Sequence, residues 1–133
     1  MKAELGHVVL KVGSLNVSVP FYCSVLGMRE RRHREVNGKP MAFLTFGERD
    51  HDIGLLEIGA RARAEGETRA GLEHVAVLIG ERIEKLQAFR KRLDALGVTP
   101  QRVIEHRFSS SLYVRDPDGI ELEVYVDSGA PAV

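Results

Sequence analysis

The chain has 133 residues, and its 19 lysines and arginines balance 19 aspartates and glutamates, so the formal net charge is zero. A neutral chain lacks the long-range positive field with which most nucleic-acid binders hold phosphates, so we expect no nucleic-acid partner. Hydrophobic residues make up 44% of the chain, which is typical of a folded domain. The apolar runs are short and broken by charge, so we expect no bilayer-spanning segment and no membrane partner. The single Cys23 fits a reducing compartment, and we expect a cytoplasmic protein.

The first half of the sequence predicts one strand, one helix and three further strands. The strand covers about 5–12 and the helix about 15–26, with Gly27 as the left-handed residue just past the helix. Pro20 lies inside this segment, so we expect the regular helix to begin near Val17 or Ser18, where missing amide hydrogen bonds cost little. The strands follow at about 28–36, 40–46 and 52–58. Asn37-Gly38 between the first two is a strong hairpin signal.

The second half repeats this order. A strand at about 72–79 again has a histidine in third place, and a helix at about 81–96 again ends before a glycine, Gly97. The apolar face of this helix is predicted to contain Ile83, Leu86, Phe89 or Arg90, Leu93 and Leu96. Strands follow at about 100–105, 109–115 and 120–126, the last two joined by the turn Asp116-Pro117-Asp118-Gly119.

The repeat predicts an α+β fold made of two βαβββ modules. The first module covers 5–59 and the second 72–127, and a small, charged linker at 60–71 joins them. We expect residues 128–133 to form a flexible tail. We expect one domain over 1–133 in which the two modules share a core.

Strand alternation places two histidines in equivalent positions. Val8, Leu10 and Val12 share one face and should pack under the helix, which leaves His7 on the opposite, concave face. The same alternation in the second module puts His74 on the concave face.

Carboxylates follow the same pattern. Glu121 and Glu123 in the last strand should lie on the concave face, opposite an apolar set of Leu122, Val124 and Val126. Their expected counterpart in the first module is Glu57, with His51, Ile53 and Leu55 on the same face. A carboxylate inside a curved sheet is costly unless it is paired or binds a metal.

Two histidines and one carboxylate from three strands are the ligand set of a divalent metal that keeps open positions for substrate or oxygen. A single strand histidine is more often hydrogen-bonded or half-exposed than a ligand. The equivalence of two histidines with a carboxylate in phase favours the metal interpretation.

Three segments resemble the vicinal oxygen chelate superfamily, which includes glyoxalase I, extradiol dioxygenases, fosfomycin resistance proteins and bleomycin resistance proteins. They are Phe21-Tyr22 with Val25-Leu26-Gly27-Met28, then Gly71-Leu72-Glu73-His74-Val75, and the run from Tyr113 to Glu123. The resemblance implies that the two modules form a half-open barrel around a metal, with His7, His74 and Glu123 as ligands. It also implies a small-molecule substrate and a homodimer.

Two subfamilies compete for the remaining residues. The extradiol dioxygenase pattern is matched by Gly47-Glu48-Arg49-Asp50-His51 and by Tyr113 ten residues before Glu123, and His106 stands near a further histidine position. This pattern implies Fe(II), a catechol substrate, and catalytic roles for His51, His106 and Tyr113. The glyoxalase I pattern implies a four-ligand site with Glu57 as the fourth ligand. Mn, Ni or Zn are the other metals that we consider.

Other interpretations stay open at this point. His51 and His106 lie in predicted loops and are equally well explained as solvated residues. Tyr113 could be a barrel aromatic with its hydroxyl in water, and Glu57 an exposed strand end. The charged run Arg29–Arg34 is either a protected edge strand or a guide for an anionic substrate. We favour an extradiol-type dioxygenase over a glyoxalase-type lyase or isomerase, and over a non-enzymatic binding protein of the bleomycin-resistance type.

Overall fold

A computed structural model of the chain describes residues 1–59, 70–105 and 109–129. The chain divides into two compact units, Met1–Ala62 and Arg63–Val133. The first unit contains β1 (Val8–Val12), α1 (Leu15–Leu26), β2 (Arg29–Val36), β3 (Lys39–Thr45) and β4 (Ile53–Glu57). The second contains β5 (His74–Gly80), α2 (Ile83–Leu96), β6 (Arg102–Glu105), β7 (Ser109–Arg115) and β8 (Glu121–Asp127).

This element order confirms the α+β class and the two βαβββ modules. The assembly of both modules into one half-open barrel domain stays a prediction. Most of the predicted linker, 60–69, the end of the predicted tail, 130–133, and His106 lie outside the described residues. Within the described ranges, neither helix is long and apolar enough to cross a bilayer.

The first sheet has the strand order β1-β4-β3-β2, in which β1 runs parallel to β4 and the other neighbours are antiparallel. Leu10 and Val12 are 3% and 1% exposed, whereas their neighbours in the strand, Val9 and Lys11, are exposed. This alternation confirms the predicted faces of β1. We call the face of each sheet that packs under the helix its helix face, and the other its open face.

The expected start of α1 is wrong. The helix begins at Leu15, two or three residues before the expected start, and Pro20 lies inside it. The amides of Val17 and Ser18 both donate to the carbonyl of Ser14, at 3.2 and 3.0 Å, so the first turn is regular. Its first amide, that of Leu15, donates to a carboxylate oxygen of Glu57 at 2.9 Å. A side chain 42 residues away in sequence therefore satisfies an amide that the helix itself leaves without a partner.

The second sheet has the equivalent order β5-β8-β7-β6, with β5 parallel to β8. In β8 the residues Leu122, Val124 and Val126 are buried and those between them are half-buried, which confirms the predicted alternation. Helix α2 buries Leu86, Phe89 and Leu93 as predicted. Ile83 and Leu96, which were also expected on its apolar face, are 41% and 43% exposed because they are the terminal residues of the helix.

Two turns hold neighbouring strands in register. Asn37 and Gly38 both have positive φ, at 52° and 77°, which confirms the two-residue hairpin between β2 and β3. Before β8, the buried carboxylate of Asp116 accepts the amides of Asp118 and Ile120 at 2.9 and 2.8 Å. This turn fixes where β8 starts, and with it the position of the two glutamates of that strand.

Candidate functional site

In the first unit, two of the predicted site histidines contact each other. His7 lies one residue before β1 and is exposed, and the centre of its ring is 4.4 Å from that of His51. His51 precedes β4 and also meets the ring of Phe43 edge-on, with the ring centres 5.1 Å apart. The structure thus brings a predicted metal ligand and a predicted acid–base residue together within one unit.

Asp50 fixes the imidazole of His51. Its carboxylate lies 2.8 Å from Nδ1 of His51 and accepts two hydrogen bonds from the guanidinium of Arg32, at 2.7 and 2.5 Å. The bonds from Arg32, and then that from His51, hold the pKa of Asp50 far below its usual range. Because an ionised carboxylate can only accept hydrogen bonds, we assign the proton of the His51 ring to Nδ1, which leaves the lone pair on Nε2.

In the second unit, His74 and Glu123 lie in direct contact. Nε2 of His74 is 3.1 Å from Oε1 of Glu123, and the hydroxyl of Ser111 donates to the other carboxylate oxygen at 2.6 Å. Both side chains project from the open face of the second sheet, as predicted. Ser111 belongs to β7 and lies opposite Tyr125 of β8, so it reaches Glu123 diagonally.

The surroundings of His74 fit a bound cation. Its Nδ1 lies 3.4 Å from a carboxylate oxygen of Glu73, so both ring nitrogens face carboxylates. A neutral imidazole has only one N–H, so it can donate a hydrogen bond to only one of the two carboxylates. A cation bound between the other ring nitrogen and its carboxylate would satisfy both groups. Possible ligand atoms of Glu73, His74 and Glu121 also lie within 4.8 Å of one another. Two neighbouring metal ligands at about 2.1 Å from an ion would lie about 3 Å apart, close to the separation of His74 and Glu123.

Tyr113 lies beside the same two residues. It faces Glu123 across β7 and β8, and its ring meets that of His74 at a centroid distance of 6.1 Å. The guanidinium of Arg102 lies over the Tyr113 ring at 4.1 Å and forms an ion pair with Glu121 at 3.2 Å. Burial, together with the negative charge of Glu123 and a hydrogen bond to it, raises the pKa of the Tyr113 phenol. Tyr113 therefore stays a protonated hydrogen-bond donor over a wide pH range.

The prediction that Glu57 is the first-module counterpart of Glu123 is wrong. In the parallel pairs, Glu123 lies opposite Ala76, two residues after His74, whereas the residue opposite Val9, two residues after His7, is Gly54. Residues paired across neighbouring strands point to the same face, so Glu57, which pairs with the buried Val12, lies on the helix face. Its bond to the first amide of α1 agrees with this position.

Several residues of these clusters were not singled out from the sequence for a part in the site. Asp50 precedes the candidate histidine His51 in the sequence, and this adjacency alone would have identified it. Ser111 and Arg102 become visible only once the register of β6, β7 and β8 is known, because they reach the site across strands. Glu73 could have been found because it precedes His74 in the sequence. Glu121 was expected on the concave face, but no part in the site was predicted for it.

Residues 4–124 match the family model of the Glyoxalase/Bleomycin resistance protein/Dioxygenase superfamily. The chain belongs to this superfamily. Its fold is also similar to the crystal structure of a glyoxylase/bleomycin resistance protein/dioxygenase domain from Frankia sp. EAN1pec, with a TM-score of 0.82 and 23% identity over 98% of this chain and 96% of that one. The predicted resemblance is thereby confirmed.

Relatives within the superfamily carry two different activities in their names. The chain is 27% and 31% identical to two biphenyl-2,3-diol 1,2-dioxygenases of Rhodococcus globerulus over 94% and 96% of its own length. It spans only 63% and 65% of those enzymes. It is also 29% identical to a lactoylglutathione lyase of Neisseria meningitidis, over 90% of this chain and 88% of the lyase. These similarities leave the reaction of this chain to be proposed from its own residues.

Proposed function

We propose that the chain is a divalent-metal-dependent enzyme of the extradiol dioxygenase type that acts on a catechol or a similar vicinal-oxygen compound. The observation that carries the proposal is that, in each unit, a proposed catalytic residue lies beside a proposed metal ligand. His51 contacts the proposed ligand His7, and Tyr113 lies opposite the proposed ligand Glu123. The relatives that act on biphenyl-diols support the same reaction class.

The proposed metal ligands are His7, His74 and Glu123, and the proposed ion is Fe(II). Two neutral imidazoles and one carboxylate fit a divalent ion that keeps open positions. When bound, the ion would supply Lewis acidity toward vicinal oxygens and the redox capacity that a reaction with O2 requires. Mn, Ni or Zn could occupy the same donors, and metal analysis distinguishes among them.

The chain's own residues would handle the protons of the substrate. Nε2 of His51 carries the free lone pair and can accept a proton from a catechol hydroxyl, while Asp50 keeps the ring in that tautomer. The Tyr113 phenol, protonated because of its raised pKa, can donate a hydrogen bond to a substrate oxygen. His106 stays a prediction as a further catalytic residue.

A glyoxalase-type lyase or isomerase is the second candidate, because the chain covers 88% of the length of a lactoylglutathione lyase at 29% identity. A four-ligand site of that type would use Glu57. The structure instead has Gly54 at the position equivalent to Glu123 and a helix-capping contact for Glu57. These two features favour the three-ligand proposal. A homodimer, which the superfamily resemblance implies, and a cytoplasmic location, which the composition suggests, complete the proposal.

Metal analysis of purified variants tests the ligand set. We expect one Fe(II) per reconstituted wild-type chain and loss of the ion in His74→Ala and Glu123→Ala, with folding followed by circular dichroism. His33→Ala is the matched control, because His33 lies on the helix face of β2 opposite Ala42 and should retain the ion. His7→Ala tests the contribution of the first unit. Absence of stoichiometric metal from the reconstituted wild type would refute the proposal.

Substrate assays then separate the two reactions. We expect oxygen consumption with catechols and no turnover of the hemithioacetal of glutathione and methylglyoxal. The opposite result would favour the glyoxalase candidate.

A further inference from the structure

The open face of the first sheet carries a row of four residues with cations at both ends. Lys11 pairs with Leu56, Leu56 with Met41, and Met41 with Arg34, so one residue from each strand joins the row. Met41 is buried and Leu56 is half-buried, whereas Lys11 and Arg34 are exposed. With strands about 4.8 Å apart, the row is about 14 Å long between its terminal Cα atoms. We call these four residues the Lys11–Arg34 row.

The charges of the row are not balanced. The strands β1 to β4, which the structure describes in full, place no carboxylate on this face, because Glu30, Glu35 and Glu57 pair with helix-face positions. Asp50, in the loop before β4, accepts hydrogen bonds from Arg32. In the part of the chain that the structure describes, no acidic side chain pairs with Lys11 or Arg34. An apolar floor between two uncompensated cations is suited to an apolar body that carries an anionic group.

The row lies next to the histidine that the proposed reaction uses. The Arg34 guanidinium leans over the Phe43 ring at 5.2 Å, and the ring of His51 meets the same Phe43 ring at 5.1 Å. The guanidinium carbon and the His51 ring centre are therefore no more than about 10 Å apart. A catechol that carries a short acidic side chain fits within this limit, with a hydroxyl at His51 and the acid at Arg34.

We infer that the Lys11–Arg34 row is a recognition site for the carboxylate of an aromatic acid, and that the substrate of this chain is a catechol with an acidic side chain. The inference rests on the proposed function for the catechol part. The carboxylate part rests on the unbalanced cations of the row and on the apolar residues between them. Arg34 would receive the carboxylate through paired N–H donors.

Turnover of two matched substrates tests the inference. 3,4-Dihydroxyphenylacetate and 4-ethylcatechol have similar size, and the first carries a carboxylate. We expect the wild type to prefer the acid, and Arg34→Gln to lower kcat/KM for the acid about tenfold through KM, with little change for 4-ethylcatechol. Arg29→Gln is the matched control, since it removes the same charge from the same strand at a residue opposite Thr45. No preference for the acid, or an equal loss in both variants, would overturn the inference.

A binding measurement separates failure of the inference from failure of the proposed function. Phenylacetate is titrated into protein labelled with 13C at the methionine methyl groups, which needs no turnover. We expect the signal of Met41 to shift with phenylacetate but not with 2-phenylethanol, the shift to disappear in Arg34→Gln, and the signal of Met28 to stay in place. If binding is seen without ring cleavage, the recognition site stands and the proposed reaction falls. Equal shifts with the alcohol, or displacement of phenylacetate by an equal concentration of inorganic phosphate, would overturn the aromatic-acid assignment.

Discussion

Replacement of Glu57 by alanine distinguishes a structural carboxylate from a metal ligand. The side chain reaches from the end of β4 to the first amide of α1, at 2.9 Å. The N-terminal flanking residue Ser14 makes no side-chain hydrogen bond to the helix, so Glu57 occupies the place of a missing cap. Its negative charge also lies at the positive end of the helix dipole.

The expected loss is about 1–2 kcal/mol in the free energy of unfolding. A helix cap contributes roughly 0.5–2 kcal/mol and a hydrogen bond to a charged group about 1.5–3 kcal/mol. Solvent reduces the upper figures because Glu57 is only half-buried. For a chain of 133 residues this corresponds to a fall of several degrees in Tm. Glu57→Gln keeps an oxygen acceptor but loses the charge, so its loss should be about half as large.

Urea unfolding and metal analysis on the same preparations check this reasoning. We expect Glu57→Ala to lower the urea midpoint and to retain the metal content of the wild type after reconstitution. Glu48→Ala, an exposed loop glutamate, controls for loss of a negative charge. If Glu57→Ala keeps full stability and loses metal, the capping role is refuted and a four-ligand site of the glyoxalase type regains support.

Three further predictions concern Gly54, Asp50 and Tyr113. A Cβ at Gly54 would overlap the terminal methyl of Met41. Because this methyl is the far end of a flexible side chain, Gly54→Ala should displace it at a cost below about 1 kcal/mol in urea unfolding and should move its methyl NMR signal. The pKa of Asp50 is lowered in the folded chain, so its ionised form stabilises the fold above the unfolded pKa near 3.8. This stabilisation is lost as pH falls. The urea midpoint of Asp50→Asn should therefore change less than that of the wild type between about pH 5 and about pH 2. The pKa of Tyr113 is raised in the folded chain, so its protonated phenol stabilises the fold below about pH 10, and this stabilisation is lost as pH rises through the folded pKa. Tyr113→Phe should therefore lose less stability than the wild type between about pH 9 and about pH 11.

Much of the fold could be predicted because its signals are local. The two glycines after the helices, the Asn37-Gly38 hairpin and the alternation in β1 and β8 depend on neighbouring residues alone. The histidine pair His7 and His74 followed from the repeat, and so did the open-face position of Glu123. Periodicity and turn chemistry therefore predicted the element boundaries within about three residues.

The position of Glu57 could not be predicted by the same method. The residues Ile53, Gly54 and Leu55 are all buried and Leu56 is half-buried, so β4 shows no alternation that would reveal which residues face the helix. Only the register with β1 decides this, and register is a tertiary property. The start of α1 was missed for the same reason, since its first amide is satisfied by a carboxylate from another strand.

The zero net charge of the chain hides different charge distributions on two equivalent faces. The open face of the first sheet carries Lys11, Arg32 and Arg34 and no strand carboxylate, while that of the second carries Glu121 and Glu123 beside His74, with Arg102 and Arg115 on the same face. At the equivalent position of the repeat, Gly54 stands where the second module has Glu123. A carboxylate in contact with an imidazole is suited to a cation, and a face with uncompensated guanidinium and ammonium groups to an anion. The sequence repeat thus provides one scaffold twice. Both copies supply a histidine to the metal site that we propose, the second adds Glu123, and the first adds the cations of the proposed acid-recognition site.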